Sequence, residues 1–385
     1  MRAAAALAIV LLAAAAVRAA PPPAYLSQLL APAPEAAFEQ VLAPRDFSFP
    51  ADHGPHPAYR QEWWYCTGQL TAPAGERFGF ELTFFRYALA PPAEPTPAAS
   101  AWRARQVHVA HFAITDVARA RFAAAQRGER DALDLSGSRG APLAVWVDDW
   151  SLVADGAGRW QLHAAQPGYA LTLTLDVSAA VPVLNGERGL SVKADEPGAA
   201  SYYYSLPRVA VTGELTRAGH SVAVSGLAWV DREWGSGGLG AGQVGWDWFA
   251  LQLDDHSALM YYQLRGRGGE RDPHSAGTWV DPSGAAHHLS AAAVAVRVLG
   301  QWRSPRGGSY PAGWQLSAPQ LDLDLTLRAL LPDQELEGPP RYWEGAVEVA
   351  GRRGGVAVSG RGYVELVGYA KEREAPGGAG QARPP

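Results

Sequence analysis

From Arg60 to Gly368 the sequence alternates. Polar and apolar residues take turns over short runs, and LTLTLDV, Leu171 to Val177, is the cleanest of them. Side chains of a β-strand point alternately to its two faces, so such a run has one wet side and one dry side. The runs end at turn formers such as Pro73 to Gly75, Gly266 to Gly269 and Asp281 to Gly284. Long helical periodicity is absent. A chain of this kind buries its apolar sides by pairing many strands and closing or stacking the sheets. The expectation is an all-β protein of antiparallel barrels or sandwiches. Three stretches depart from the pattern. Phe38 to Leu42 suggests one helical turn, Arg119 to Leu133 a short helix or an ordered loop, and Ala291 to Trp302 a strand with a helical lead-in.

The two ends read differently. Residues 1–19, MRAAAALAIVLLAAAAVRA, have a basic start, an apolar middle and a small-residue cleavage pattern at Val17 and Ala19. This is the signature of a secretory signal peptide, too short to span a membrane, and it predicts a periplasmic or secreted protein. Residues 20–45 read as a leader, and residues 371–385 as a disordered, Gly/Pro-rich tail. The length between them suggests two domains, 46–236 and 237–370, divided near the glycine-rich break Gly235 to Gly245. Charge is mildly acidic, 33 basic against 38 acidic residues, so no nucleic-acid partner is expected. Cys66 is the only cysteine, and no internal disulfide can form. Fourteen tryptophans and fourteen tyrosines must then supply core, or the aromatic walls of a cavity.

The richest stretch is Gly226 to Leu253, GLAWVDREWGSGGLGAGQVGWDWFALQL. As a strand, its first half places Leu227, Trp229, Asp231 and Glu233 on one face and Ala228, Val230, Arg232 and Trp234 on the other. In its second half Trp246, Trp248 and Ala250 share a face, opposite Asp247, Phe249, Leu251 and Leu253. A carboxyl group on an otherwise apolar face is costly to bury unless it is paired or protonated. Upstream, in Arg60 to Leu70, Glu62 and Trp64 share one face and Trp63, Tyr65 and Thr67 the other. A purely structural role stands beside the chemical one: Arg232 can pair with a neighbouring acid and pin a corner, with Glu62 buried as its partner.

The chemistry narrows by elimination. No G-x-S-x-G pentapeptide signals a serine hydrolase. His108 and His111 are three apart in a strand and point to opposite faces. His53 and His56 share a loop, His287 and His288 flank a turn, and no metal signature is present, so no metal is expected. Acid–base chemistry remains, with Asp231, Glu62, Glu233 and Asp247 set among Trp63, Trp64, Trp229, Trp246, Trp248 and the tyrosines Tyr202 to Tyr204. Apolar surroundings raise a carboxyl pKa and suit it to act as a general acid. Aromatic faces stabilise a developing cation. The same rings would equally line a plain apolar pocket or fill a barrel core, as His111 would if it were a core histidine.

Five segments carry a resemblance: HPAYRQEWWYCTGQL, HVAHFAITD, SGLAWVDREWGS, GWDWFALQLDD, and YWEGAVEVAG with GYVELVGY. They resemble the carotenoid 1,2-hydratase (hydroxyneurosporene synthase) superfamily, most closely its AttH-like branch of "predicted secreted hydrolases". The resemblance implies two lipocalin-like antiparallel β-barrel domains and water addition across a double bond without a cofactor. It also implies that Asp231 is the proton donor, since Trp229-Val230-Asp231 is similar to the Tyr-His-Asp triplet of the hydratases. Their upstream His-x-Trp falls near Tyr202 to Tyr204. The expected catalytic residues are Asp231, Glu62 and Trp229. The expected substrate contacts are Trp63, Trp64, Tyr202, Tyr204, Arg232, Glu233, Trp246, Trp248 and His111. The expected function is an exported, cofactor-independent hydratase or hydrolase for an isoprenoid or lipid-like molecule; a non-catalytic carrier of an apolar ligand is the alternative. The expected partner is a hydrophobic small molecule, with peripheral membrane contact also compatible and the oligomeric state open.

Overall fold

The computed structural model describes residues 38–92 and 104–370. The signal segment, most of the leader and the tail lie outside them. The regular secondary structure of the described chain is nearly all strand. In order these are β1 (Gln61–Thr71), β2 (Arg77–Ala88), β3 (Gln106–Asp116), β4 (Arg121–Arg130), β5 (Ser136–Arg139), β6 (Ala144–Val147), β7 (Trp150–Ala154), β8 (Arg159–Gln166) and β9 (Tyr169–Asp176). There follow β10 (Val183–Leu184), β11 (Leu190–Val192), β12 (Ala200–Arg217) and β13 (His220–Gly235). After the glycine-rich break come β14 (Gln243–Leu253), β15 (Ala258–Gly266), β16 (Ala276–Val280), β17 (Ala286–Ser290), β18 (Ala295–Arg303), β19 (Ser309–Ala318), β20 (Leu323–Ala329), β21 (Glu335–Leu336), β22 (Tyr342–Arg353) and β23 (Val356–Leu366).

The strands form two antiparallel sheets, each curled into a barrel or half-barrel. The first runs β4-β3-β2-β1-β13-β12-β9-β8-β7-β6-β5, with β10 and β11 added to β12. Its two edges return towards each other, and the Ser136 hydroxyl donates to the Glu129 carbonyl at 3.1 Å. The second runs β17-β16-β15-β14-β23-β22-β20-β19-β18, with β21 added to β22. The two lipocalin-like barrels of the sequence reading are therefore present.

Five local expectations change. Phe38 to Leu42 contains no helix. Arg121–Arg130 is strand β4, because its register with β3 satisfies its backbone hydrogen bonds along the edge of the first sheet. His287 and His288 lie within β17, paired to β16, and not about a turn. The expected helical lead-in to β18 is a single 3₁₀ turn, Ala291–Ala293. The runs at Ser201 and Ala210 merge into one long strand, β12, whose register slips between Leu206 and Val209 around Pro207.

Both barrel interiors are filled. Phe80, Leu82, Phe112, Trp150, Leu171, Val230 and Trp234 belong to the first core, and Phe249, Leu251, Leu259, Trp314 and Leu325 to the second. A third apolar cluster joins the outer faces of the barrels. It contains Tyr65, Tyr203 and Trp229 from the first and Trp248, Ala250, Met260, Tyr262, Ala346 and Tyr363 from the second. Polar stitches cross this layer. Gln69 Nε2 donates to the Val347 and Gly362 carbonyls at 2.7 and 2.9 Å. Gln252 Nε2 donates to the Pro207 and Ala228 carbonyls at 2.7 and 3.0 Å.

The layer is tight at Gly79. A Cβ built there would lie 2.6 Å from the Ala346 Cβ of the other barrel. Gly79→Val is therefore expected to push the barrels apart and to lower stability by about 1–3 kcal/mol, the usual cost of overpacking. Chemical denaturation checks this; an unchanged midpoint would mean that the interface yields freely.

Candidate active site

The pleat decides which of the expected site residues meet. In β13 the odd positions Trp229, Asp231 and Glu233 face the layer between the barrels, and the even positions Val230 and Trp234 enter the first core. Register carries this division across the sheet. Asp231 lies opposite Tyr65 on β1 and Ser205 on β12; Glu233 lies opposite Trp63 and Tyr203. From the second barrel, Trp248 completes the group, and the partly exposed Trp246 packs at its side.

Asp231 is 3% exposed. Three donors hold it: the Tyr203 hydroxyl at 2.5 Å, the Ser205 hydroxyl at 2.5 Å and the Trp229 indole N–H at 2.7 Å. Trp248 of the second barrel donates its indole N–H to the Tyr203 oxygen at 3.0 Å, so a chain of hydrogen bonds crosses the layer and ends on the acid. Burial pushes the Asp231 carboxyl up, the three donors pull it down, and Glu233 adds to the rise; the balance lies at about 7. Burial, with Asp231 beside it, holds the Tyr203 phenol well above its ordinary value, so it stays a donor. Glu233 accepts from the Ser201 hydroxyl and pairs with Lys193 at 3.2 Å. Lys193 also lies over the Tyr262 ring, 4.0 Å from its centroid. Burial lowers the lysine, but Glu233 and Tyr262 outweigh it, and its ammonium is held above the usual value.

Trp229 and Trp248 meet edge to face with centroids 6.3 Å apart, and Tyr65 meets Trp248 likewise at 5.0 Å. Partly exposed aromatics continue outward along the first sheet, from Trp63 to Phe85 to Tyr87, with centroid steps of 6.5 and 6.3 Å. His111 stands beside Phe85 and shares a 2.7 Å hydrogen bond with the Tyr342 hydroxyl across the layer. Burial pushes its imidazole down to about 4, so it is neutral. A void of about 10 Å³ lies beside Trp229, bounded by Thr67, Gln252 and Tyr363. A wider hollow of about 600 Å³ opens on the outer wall of β9, β12 and β13, lined by small and threonine side chains such as Thr172, Thr174 and Ala223. It holds none of this chemistry.

Five expected site residues lie on the other side of the sheet. Glu62, Trp64, Arg232, Tyr202 and Tyr204 point into the first barrel, because they occupy the alternate positions of their strands. Glu62 is fully buried between Arg86, whose Nε donates to it, and Arg232, 3.0 Å away. Burial would raise its pKa, but Arg86, His56 and Arg232 hold it well below the usual carboxylate range. A carboxyl held ionised in this way is poorly suited to give up a proton as a general acid. Arg232 stacks on Trp64 at 4.0 Å and donates to the carbonyls of His53, Trp63 and Gly54. This cluster fixes the His53–Pro57 loop against the barrel. The loop's two histidines diverge. His53 meets the Tyr204 hydroxyl at 2.6 Å, and His56 stacks on Trp234 at 3.7 Å while contacting Asp52 and Glu62. Asp247 faces the second barrel, tied to Arg265 at 2.9 Å and to Tyr369.

Ser205, Tyr65 and Lys193 belong to the site and were not among the expected residues, and Tyr203 was expected only as one of the rings around the acids. Strand parity offered a signal for two of them: Tyr203 and Ser205 share a face, and only Tyr203 among the three consecutive tyrosines takes that side. Among the described residues no group of three His, Cys, Asp or Glu is arranged to hold a metal ion.

The arrangement places a neutral-range acid, held by oxygen and nitrogen donors, beside two tryptophan side chains. Its tuning is testable. Tyr203→Phe removes a donor that pulls the Asp231 carboxyl down, so the carboxyl should titrate above about 7. Infrared titration of protein carrying labelled aspartate reads this directly, and a downward move would show that Tyr203 does not act on Asp231.

The AttH-like family profile matches residues 40–369. A solved AttH protein of Nitrosomonas europaea is 34% identical, with a TM-score of 0.76 over 86% of this chain and 100% of its own. Kievitone hydratase of Nectria haematococca is 16% identical and shares the fold, with a TM-score of 0.65 over 87% of this chain and 97% of its own. In sequence, the dehydratase asqC of Emericella nidulans is 23% identical over 223 residues, 54% of this chain. The chain spans 60% of the length of that curated relative. Profile, identity and fold agree over the same residues, and the chain belongs to the AttH-like family.

Proposed function

We propose that this protein is a cofactor-independent hydratase or dehydratase whose general acid is Asp231, acting between the barrels on a hydrophobic, isoprenoid or lipid-like substrate. One observation carries the reading: a buried aspartate that titrates near 7, aimed into an aromatic layer and away from either filled core. The protonated carboxyl gives its proton to an alkene carbon. A C–H bond forms, the O–H bond breaks, and the tryptophan faces shelter the cation. Water adds to the cation and returns a proton to the carboxylate. Dehydration is the same path reversed. The names of two relatives, a hydratase and a dehydratase, support this class of reaction. We further propose that the protein is exported, on the strength of the basic, apolar and small-residue pattern of residues 1–19.

The test begins with mass spectrometry of apolar molecules extracted from the purified protein. Each is then assayed for gain or loss of water. A ligand held tightly and released unchanged, with no reaction of its analogues, would replace the enzyme by a carrier.

A further inference from the structure

The hydrogen bonds around Asp231 extend one residue beyond its own donors, and they end on an unsatisfied atom. Asn185 follows β10 and lies alongside β12, where its backbone N–H donates to the Tyr203 carbonyl at 3.0 Å. The Tyr203 N–H donates in turn to the Gly189 carbonyl at 2.9 Å. Both ends of the Asn185–Gly189 turn are thus pinned beside a residue that holds the acid. Gly186 keeps the turn tight: its φ is 73°, and a Cβ there would lie 2.1 Å from the Leu190 carbonyl oxygen. An asparagine in a turn ordinarily spends its side chain on the backbone two residues on. This one reaches Ser205 instead, and its Nδ2 donates to the Ser205 hydroxyl oxygen at 2.8 Å. Asn185 is 1% exposed.

A serine hydroxyl has a single hydrogen to give. That of Ser205 goes to Asp231 at 2.5 Å, so Ser205 can only accept from Asn185. The carboxamide must therefore turn its nitrogen to Ser205, which leaves its oxygen over. That oxygen is buried and has no partner among the described residues. The rest of the network is engaged: both Asp231 oxygens, the Tyr203 and Ser205 hydroxyls, and the indole N–H groups of Trp229 and Trp248. One buried acceptor, two hydrogen bonds from the acid, stays open. Buried polar atoms are nearly always paired, with protein or with water, and an exception beside a reactive group calls for a functional reason.

We propose that the Asn185 carboxamide oxygen holds the reacting hydroxyl group: the water that adds in hydration, or the alcohol that leaves in dehydration. The proposal rests on the reading of Asp231 as the acid and deepens it. A neutral acceptor in a dry layer suits a neutral O–H donor, and a hydroxyl stands on both sides of this reaction. An adding water has two hydrogens. One is held by Asn185 and stays in the product hydroxyl. The other passes to the Asp231 carboxylate, while an oxygen lone pair forms the C–O bond. Asn185 itself transfers no proton. Because the same carboxamide also directs Ser205 onto Asp231, it sets the nucleophile and the acid in one frame.

A crystal structure of the ligand-free protein tests this first, with water as the probe. An ordered water within hydrogen-bond distance of the Asn185 oxygen is expected. An oxygen packed only against carbon, or turned onto Ser205, overturns the proposal, and wild-type protein alone decides this. Asn185→Leu keeps the bulk of the side chain and removes the amide. It is expected to turn over the extracted substrate about tenfold more slowly, the worth of one hydrogen bond. A loss in kcat at unchanged KM identifies the held group as water; a rise in KM with the loss identifies the hydroxyl of the substrate. A water at Asn185 with kcat and KM unchanged in the leucine variant is structural only and overturns the proposal. If Asp231→Asn retains full turnover while Asn185→Leu is slow, the acid assignment fails and the hydroxyl site stands. The reverse pattern keeps the acid and removes Asn185.

Discussion

Asp231→Asn is expected to reduce turnover by about 10²–10⁴-fold, the usual share of general acid–base catalysis, while ligand affinity changes little. The asparagine keeps the size of the side chain and removes the proton. Its carbonyl oxygen can still accept from Trp229, and the hydroxyls of Tyr203 and Ser205 can rotate to meet the amide. On the proposed reading, binding rests on the aromatic layer of Trp229, Trp248 and Trp63, which the change leaves intact. In the wild type the acid form is the active one for hydration, and its carboxyl titrates at about 7. The rate should therefore be level below that pH and fall above it. The raised pKa also acts on stability. The folded state holds this proton more tightly than the unfolded chain, so stability is full below the ordinary aspartate value of 3.8 and declines as pH rises towards about 7. Asparagine abolishes that decline. Steady-state kinetics with the extracted substrate, and melting curves across pH, measure both effects. Full turnover in the asparagine variant would remove Asp231 from the mechanism.

Glu62→Gln is expected to lower stability by about 3–5 kcal/mol, the cost of removing one partner from a buried ion pair. The amide leaves Arg86 and Arg232, both fully buried, without their anion. It also weakens the hold on the His56 backbone N–H, which donates to both Glu62 oxygens at 3.1 Å. The His53–Pro57 loop should loosen first. Because the folded pKa is depressed, the stabilisation is present above the unfolded value of 4.5 and is lost as pH falls below it. Chemical denaturation gives the size of the effect. An unchanged midpoint would mean that the two arginines find other partners. Loss of turnover at unchanged stability would instead return Glu62 to the chemistry.

Much of this architecture was legible in the chain. Alternation in LTLTLDV and its neighbours specified strands, because only a pleated ribbon gives every second residue the same surroundings. The same rule assigned Trp229, Asp231 and Glu233 to one face and Trp246 and Trp248 to one face. It could not say which face of a strand looks inward, nor which strands become neighbours. Tyr202 to Tyr204 illustrate this. Parity separates the middle tyrosine from its two neighbours but does not say which side meets the acid, and only the pairing of Tyr203 with Glu233 selects it. Arg121–Arg130 failed for a related reason. Its composition favours no strand, and its conformation is set by the edge of β3 that it completes.

The sequence by itself determined the strands, the periodicity of each face and the acid worth watching, since these depend on neighbours along the chain. Tertiary structure alone decided that the barrels are filled and meet by their outer faces. It alone separated Glu62 from Asp231 by the thickness of a sheet, giving one two guanidinium partners and the other only neutral donors. A carboxyl pKa follows from water excluded and charges nearby. Both are properties of packing between segments that no local pattern records.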